Sequence, residues 1–211
     1  GGVHGIIIEN FFDAPFTKGP VDPAVVSAMG LVVQRLQTLI TVPLGINVLR
    51  NDARSALAIA TCTGAAFIRV NVLTGVMATD QGLIEGCAHD LLRYRKELGS
   101  SVNILADVLV KHARPLGSPN LTTAVQETIH LELAKAAAGD RPVFIGSGAD
   151  VDNIATLMKA ADGVIVASSL KRQGDINQPI DPIRVGQFVE AMQEGLQALE
   201  GTLPLPTVMT P

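Results

Sequence analysis

The chain has 211 residues, of which 47% are hydrophobic and 17% charged, and its mean hydropathy is +0.34. That is enough apolar material to bury a full core, far from the polar, highly charged regime of disordered chains. The formal net charge is −4 and aromatics make up 3%, so there is neither a basic surplus for a phosphate backbone nor a set of stacking platforms, and nucleic acid is excluded as the expected partner.

With so few aromatics the core must be built from Val, Ile, Leu and Ala, the usual filling of a parallel sheet covered by helices. Val3 to Ile8 (VHGIII) reads as a strand ending in Glu9-Asn10. After the loop FFDAPFTKGPV, Asp22-Pro23 opens a helix, with Asp as N-cap and Pro at the first helical position. The strand Leu44–Leu49 follows, then an Ala-rich helix (ARSALAIATCTG) that stops at Gly64. Next come the strand Ala66–Val72, a polar loop and a helix around LIEGCAHDLLRYRKELG. The strand Val102–Val110 leads to helical residues from Thr122 to Ala138. Val143–Ile145 and Gly163–Ala167 are the last strands, and Asp181-Pro182 starts the closing helix.

Strand and helix alternating in this way predict parallel pairing with right-handed crossovers. The expected fold class is α/β, a (β/α)8 TIM-barrel type occupying residues 1–200, with a Pro- and Thr-rich tail at 201–211. Only six strands can be counted where a closed barrel needs eight. The join at His130–Leu131, where two helical segments abut, is one place for a missing strand. An open doubly wound sheet is the alternative. No apolar run reaches the ~20 residues of a transmembrane helix. Nor does a signal peptide precede the strand that follows Gly1-Gly2, so an intracellular protein is expected.

Chemistry in such barrels sits where strands give way to the following loops. The strand ends here carry Glu9 and Asn10, then Asn47 with Arg50, Asn51 and Asp52, then Arg69 and Asn71, then Asp107 with Lys111 and His112. The loop after the third strand adds Thr79, Asp80 and Gln81. Arg69 and Asn71 lie two residues apart in a strand and therefore share a face. An unpaired buried polar group costs about 1–3 kcal/mol, so these side chains must pair with each other, with water or with a ligand. One reading is an internal network that ties the barrel mouth together. The other is a site in which Asn47, Arg69 and Asn71 hold a ligand and Glu9, Asp107, His112 or Lys111 moves protons.

Small residues after the last two strands point to phosphate. Gly146-Ser147-Gly148 follows VFI, with Asn153 at the helix start behind it, and Ser168-Ser169 follows the final strand. Such loops let backbone N–H groups approach an anion, with a helix N-terminus behind. Cys62 and Cys87 fall in no metal or redox spacing and read as two buried, reduced thiols. His4, His89 and His130 have no metal spacing, and neither a metal nor a cofactor is expected. Arg93, Arg95 and Lys96 read as a solvated helix end, favourable near the C-terminal dipole.

The strings GIIIENFFDAPF, VPLGINVLRNDARSALAIA, AAFIRVNVLTG with TDQG, LLRYRKELG, ILADVLVKHARPL, PVFIGSG and ADGVIVASSLKRQG resemble the BtpA/SgcQ family in order and spacing. The resemblance covers almost the whole chain and implies a phosphate-binding kind of (β/α) barrel. It further implies a role in biogenesis or stabilisation of photosystem I reaction-centre proteins, exercised peripherally on the cytoplasmic face of thylakoid membranes. Members in non-photosynthetic organisms suggest instead an enzyme acting on a phosphorylated sugar or nucleotide-like substrate. Association with further copies of the chain stays open. The family pattern has a strand and helix before Gly1, and a strand resembling ADAVILTG between His130 and Leu131, that this chain lacks.

Overall fold

A computed structural model describes residues 2–107, 114–115, 135 and 138–200. The chain forms two compact units, residues Val3–Pro119 and residues Asn120–Pro211 with the first two glycines.

In the N-terminal unit local chemistry places the helices. Asp22 accepts the N–H of Ala24 at 2.7 Å and Pro23 takes the first position of α1 (Pro23–Gln37). Asp52 caps α2 (Ala53–Thr63) through the N–H of Ser55 at 3.0 Å, and Gly64, with φ +77°, ends it in the left-handed conformation a glycine adopts without strain. Between and after these helices run β1 (Ile6–Glu9), β2 (Leu44–Asn47), β3 (Phe67–Val70) and, as its last member, β6 (Asn103–Ala106). They pair in that order and all in parallel, with Glu9 level with Asn47 and Val70 level with Ala106. Val33, Ile46, Leu57 and Ile68 are fully buried where α1 and α2 cover the sheet. β2 is buried at all four positions, β1 and β3 are buried or half-buried throughout, and β6 exposes Asn103 and Ala106, so the near-continuous apolar runs that sequence reading recognised are most fully buried in the middle of the sheet.

The segment read from sequence as a polar loop and a helix start is an antiparallel hairpin, β4 (Val76–Thr79) and β5 (Gly82–Glu85), with β7 (Arg114–Pro115) on the other edge of β4. The turn supplies the reason. Thr79 Oγ1 donates to the Gly82 carbonyl at 2.9 Å and accepts the N–H of Gln81, which pins Asp80-Gln81 as the connection. Met77 and Ile84 face each other across the hairpin and are buried with Val72, while Leu83 and Glu85 are exposed. Burial alternates with period two, and the helix α3 (Ala88–Glu97) begins only after it.

In the C-terminal unit β8 (Phe144–Ile145) pairs in parallel with β9 (Gly163–Val164), with α4 (Ile154–Leu157) between them in sequence. The long α5 (Pro182–Glu200) repeats the start of α1: Asp181 accepts the N–H of Ile183 at 2.9 Å, and Pro182 follows it. Ile154, Met158, Leu170, Val185, Phe188 and Met192 form the core of this unit. Most of the helix expected from Thr122 to Ala138, the tail at 201–211, Lys111 and His112 lie outside the described residues.

Candidate functional site

Four parallel strands bring their C-terminal ends to one side, and the polar residues singled out from sequence converge there. Arg69 on β3 grips Asp107, one residue past β6, through Nε to Oδ1 at 2.9 Å and Nη2 to Oδ2 at 3.1 Å. This is the two-pronged geometry that suits a planar guanidinium to a carboxylate. Asn71, just past β3, donates its Nδ2 to the same Oδ2 at 2.8 Å. On the other flank, Asn47 donates Nδ2 to Glu9 Oε1 at 2.9 Å, and Arg69 Nη1 stands 3.6 Å from that oxygen. Glu9, Asn47, Arg69, Asn71 and Asp107 thus form one connected cluster contributed by four strands.

Burial makes the connections consequential. Asn47 is 2% exposed and Asn71 5%, and the side chains of Arg69 and Asp107 are 16% and 14% exposed. Water competes little for these bonds, so the network rigidifies the sheet end. One atom is left out: Asn71 Oδ1 is buried and accepts no hydrogen bond among the described residues.

Three other rim residues serve the frame. Asn10 Oδ1 accepts the N–H of Leu49 at 2.7 Å and its Nδ2 donates to the Leu49 carbonyl. Asn51 repeats the device on Val72, accepting its N–H at 2.8 Å and donating to its carbonyl at 3.0 Å. Each amide stands in for a strand partner where the chain leaves the sheet. Asp52, besides capping α2, accepts the N–H of Val21 at 2.9 Å and so fixes the loop ahead of α1. At the same end of the sheet, the loop after β1 and the tip of the hairpin enclose a cleft of about 610 Å³ lined by Ala14, Pro15, Phe16, Lys18, Asp80 and Gln81. The cluster residues do not line it.

In the C-terminal unit the two small-residue loops meet. Ser169 Oγ donates to the Ala149 carbonyl at 2.8 Å, joining the loop after β9 to the loop after β8. Gly146, Ser147, Gly148 and Ser168 are exposed. Gly148 has φ +81°, and Asn153 Nδ2 donates to its carbonyl at 2.8 Å, while Asp150 and Asn153 each accept the other's N–H at 3.0 Å. The helix behind this loop, α4, has four residues, and Ser168–Leu170 is a single 3-10 turn, so neither sets a long helix dipole behind the loops. Sequence reading missed Arg184 in the first turn of α5, whose Nε donates to the Ser169 carbonyl at 2.8 Å. A lone Arg two residues after a Pro carries no local signal. Only the fold brings it to the loop.

Cys62 is exposed and Cys87 half-buried, which corrects the expectation of two buried thiols. Cys62 lies on α2 away from its packed stripe of Ala56, Leu57, Ile59 and Ala60. Burial pushes the Cys87 thiol up despite the opposing effect of a backbone hydrogen bond. Among the described residues no group of three or more His, Cys, Asp or Glu side chains could hold a metal ion.

The sequence profile of the BtpA family matches residues 1–139 and 129–194. The chain is 68% identical to the photosystem I biogenesis protein BtpA of Synechocystis sp., over 94% of this chain and 77% of that protein. It is 42% identical to an uncharacterized protein of Pyrococcus furiosus, over 85% of this chain and 75% of that one. A mitochondrial protein of Caenorhabditis elegans, also uncharacterized, is 32% identical over 90% and 78%. The Synechocystis alignment spans 220 positions, more than the chain's own length, so that relative carries residues with no counterpart here. The two profile matches overlap at residues 129–139, a stretch that contains the His130–Leu131 junction.

Among solved structures, the fold is similar to N-(5'-phosphoribosyl)anthranilate isomerase from Pyrococcus furiosus, with a TM-score of 0.54 over 90% of this chain and 87% of that one. The enzyme from Thermococcus kodakaraensis gives 0.51 over 78% and 79%. Both are 14% identical to the chain, a likeness of fold alone, and it assigns the chain to the α/β class of the TIM-barrel type. Profile and relatives together settle the family: the chain belongs to the BtpA family.

Proposed function

We propose that the chain is a photosystem I biogenesis or stabilisation factor that works peripherally on the cytoplasmic face of thylakoid membranes, in contact with the reaction-centre proteins or their assembly machinery. The observation that carries this reading is the 68% identity to the Synechocystis photosystem I biogenesis protein across 94% of the chain. A peripheral mode of action is consistent with the helices: among the described residues none is long and apolar enough to cross a membrane. The test is complementation. A Synechocystis strain deleted for its own relative should recover photosystem I reaction-centre protein when this chain is expressed, with transcript levels unchanged. Reaction-centre protein that stays low while the chain accumulates overturns the reading.

A second reading has an observation of its own. The Ser169–Ala149 bond joins the two small-residue loops, and Arg184 sets a guanidinium behind them. That supports a phosphate grip at Gly146, Ser147, Gly148, Ser168 and Ser169, as an enzyme acting on a phosphorylated sugar or nucleotide-like substrate would need. In such an enzyme Glu9 or Asp107 would move protons, together with Lys111 or His112. Inorganic phosphate should then raise the melting temperature of the full chain, and Arg184→Gln should remove the rise. No shift at saturating phosphate rejects this grip.

A further inference from the structure

The loop between β1 and α1 carries aromatic rings on the protein surface. Phe11, Phe12 and Phe16 stand there, three of the chain's six phenylalanines, whereas among the described residues the buried core of the same unit holds no aromatic side chain. Phe12 is 71% exposed and Phe11 38%. Phe11 meets Phe12 edge-on with 5.7 Å between ring centroids, and Phe16 at 6.4 Å, so the three rings form one continuous apolar surface. The loop is pinned at both ends, by Asn10 on the backbone of Leu49 and by Asp52 on the N–H of Val21. Rings presented by a pinned loop lose little conformational freedom when a partner covers them.

Phe16 also lines the cleft between this loop and the hairpin tip, so the apolar surface runs from Phe12 into the cleft. Two opposite charges stand on the cleft walls, Lys18 on the loop and Asp80 on the hairpin. Both are exposed, and neither side chain makes an ion pair among the described residues. An anionic lipid surface is a poor match, because it calls for a cluster of cations, and here Asp13 follows Phe12 while Asp80 shares the cleft with Phe16. A small molecule seated in the cleft leaves Phe12 uncovered, whereas an extended protein segment covers both. From this we infer that Phe11, Phe12, Phe16, Lys18 and Asp80 form a docking face for a segment of a partner protein. That segment lays an apolar side chain on the rings, between an acidic group that meets Lys18 and a basic group that meets Asp80. The face lies wholly in the N-terminal unit and depends neither on the phosphate grip nor on the partner's belonging to photosystem I.

The experiment selects a phage-displayed library of random dodecapeptides on the full chain and measures the enriched peptides by fluorescence anisotropy. The enriched sequences carry an aliphatic or aromatic residue flanked by one acidic and one basic residue. Phe12→Ser weakens their binding about tenfold, as loss of an aromatic anchor does. Lys18→Glu and Asp80→Lys each weaken it about threefold, the scale of an exposed charge pair. All three variants keep the melting temperature of the parent, because the altered side chains are exposed. Should Phe12→Ser not fold, the two charge reversals carry the test. The inference is overturned by a selection that enriches no such sequence, or by enriched peptides that bind the variants undiminished. It is equally overturned if the chain co-sediments with phosphatidylglycerol vesicles, or self-associates in sedimentation velocity, in a way that Phe12→Ser abolishes; the face would then belong to lipid or to a second copy. The photosystem reading is judged separately, by complementation, and survives the loss of this face.

Discussion

The N-terminal and C-terminal units both present polar residues after parallel strands, yet they hold them in different ways. At the end of the four-stranded sheet, Arg69, Asn71 and Asp107 are bonded side chain to side chain and largely withdrawn from water. After β8 and β9, Ser147 and Ser168 are exposed and Asn153, Ser169 and Arg184 half-buried, and the bonds that order this region run from side chain to backbone: Ser169 to Ala149, Asn153 to Gly148 and Arg184 to Ser169. The first arrangement is rigid and selective, because each buried group depends on its partner. The second leaves backbone N–H groups accessible at little cost, which suits an anion that arrives with its own charge.

The largest expected effect comes from breaking the buried arrangement. Arg69→Leu leaves Asp107 without its counter-charge and should cost about 3 kcal/mol in chemical denaturation; a loss under about 1 kcal/mol would show the cluster to be as water-screened as the C-terminal loops. Asp52→Ala removes a helix cap and the Val21 clamp from the same unit, and a loss of about 1–2 kcal/mol is expected. In the other unit, Ser169→Ala deletes one neutral bond and should cost only about 1 kcal/mol. A larger loss there would mean that the two loops hold their unit together and are not merely joined.

The smallest effect concerns acid. The Lys135 ammonium first, and then the Val143 N–H at 2.7 Å, hold the Asp162 carboxyl below the ordinary carboxylate range. A carboxyl whose folded pKa is lowered contributes stability above its unfolded value, and that contribution is lost as pH falls through the folded one. Asp162→Asn should therefore lower the melting temperature slightly at neutral pH and flatten its decline below the usual aspartate pKa. The carboxyl is partly exposed, so solvent screening keeps this effect well under those of the buried cluster. An unchanged acid limb would reassign the pair to the surface background.

What the sequence determined by itself is local or periodic. Asp22 and Asp181 announce helix starts because a cap bonds an N–H two residues away, whatever the rest of the chain does, while Asp52, read as a strand-end residue, is a third such cap that only the structure identifies. The parallel strands are legible because strands of a parallel sheet read as near-continuous apolar runs, and Arg69 and Asn71 stand out against those runs. The hairpin from Val76 to Glu85 was not legible, since its only marks are a Thr-to-Gly turn and a two-residue alternation too short to outweigh the helix that follows. Tertiary structure alone decided which polar residue serves which purpose. Asn10 and Asn51 became stitches across strand ends, whereas Asn71 kept an unsatisfied acceptor beside Asp107. Asp107 stands 38 residues from Arg69 and 36 from Asn71. At that separation only the register of neighbouring parallel strands can bring a carboxylate to a guanidinium, and no local pattern in the chain encodes it.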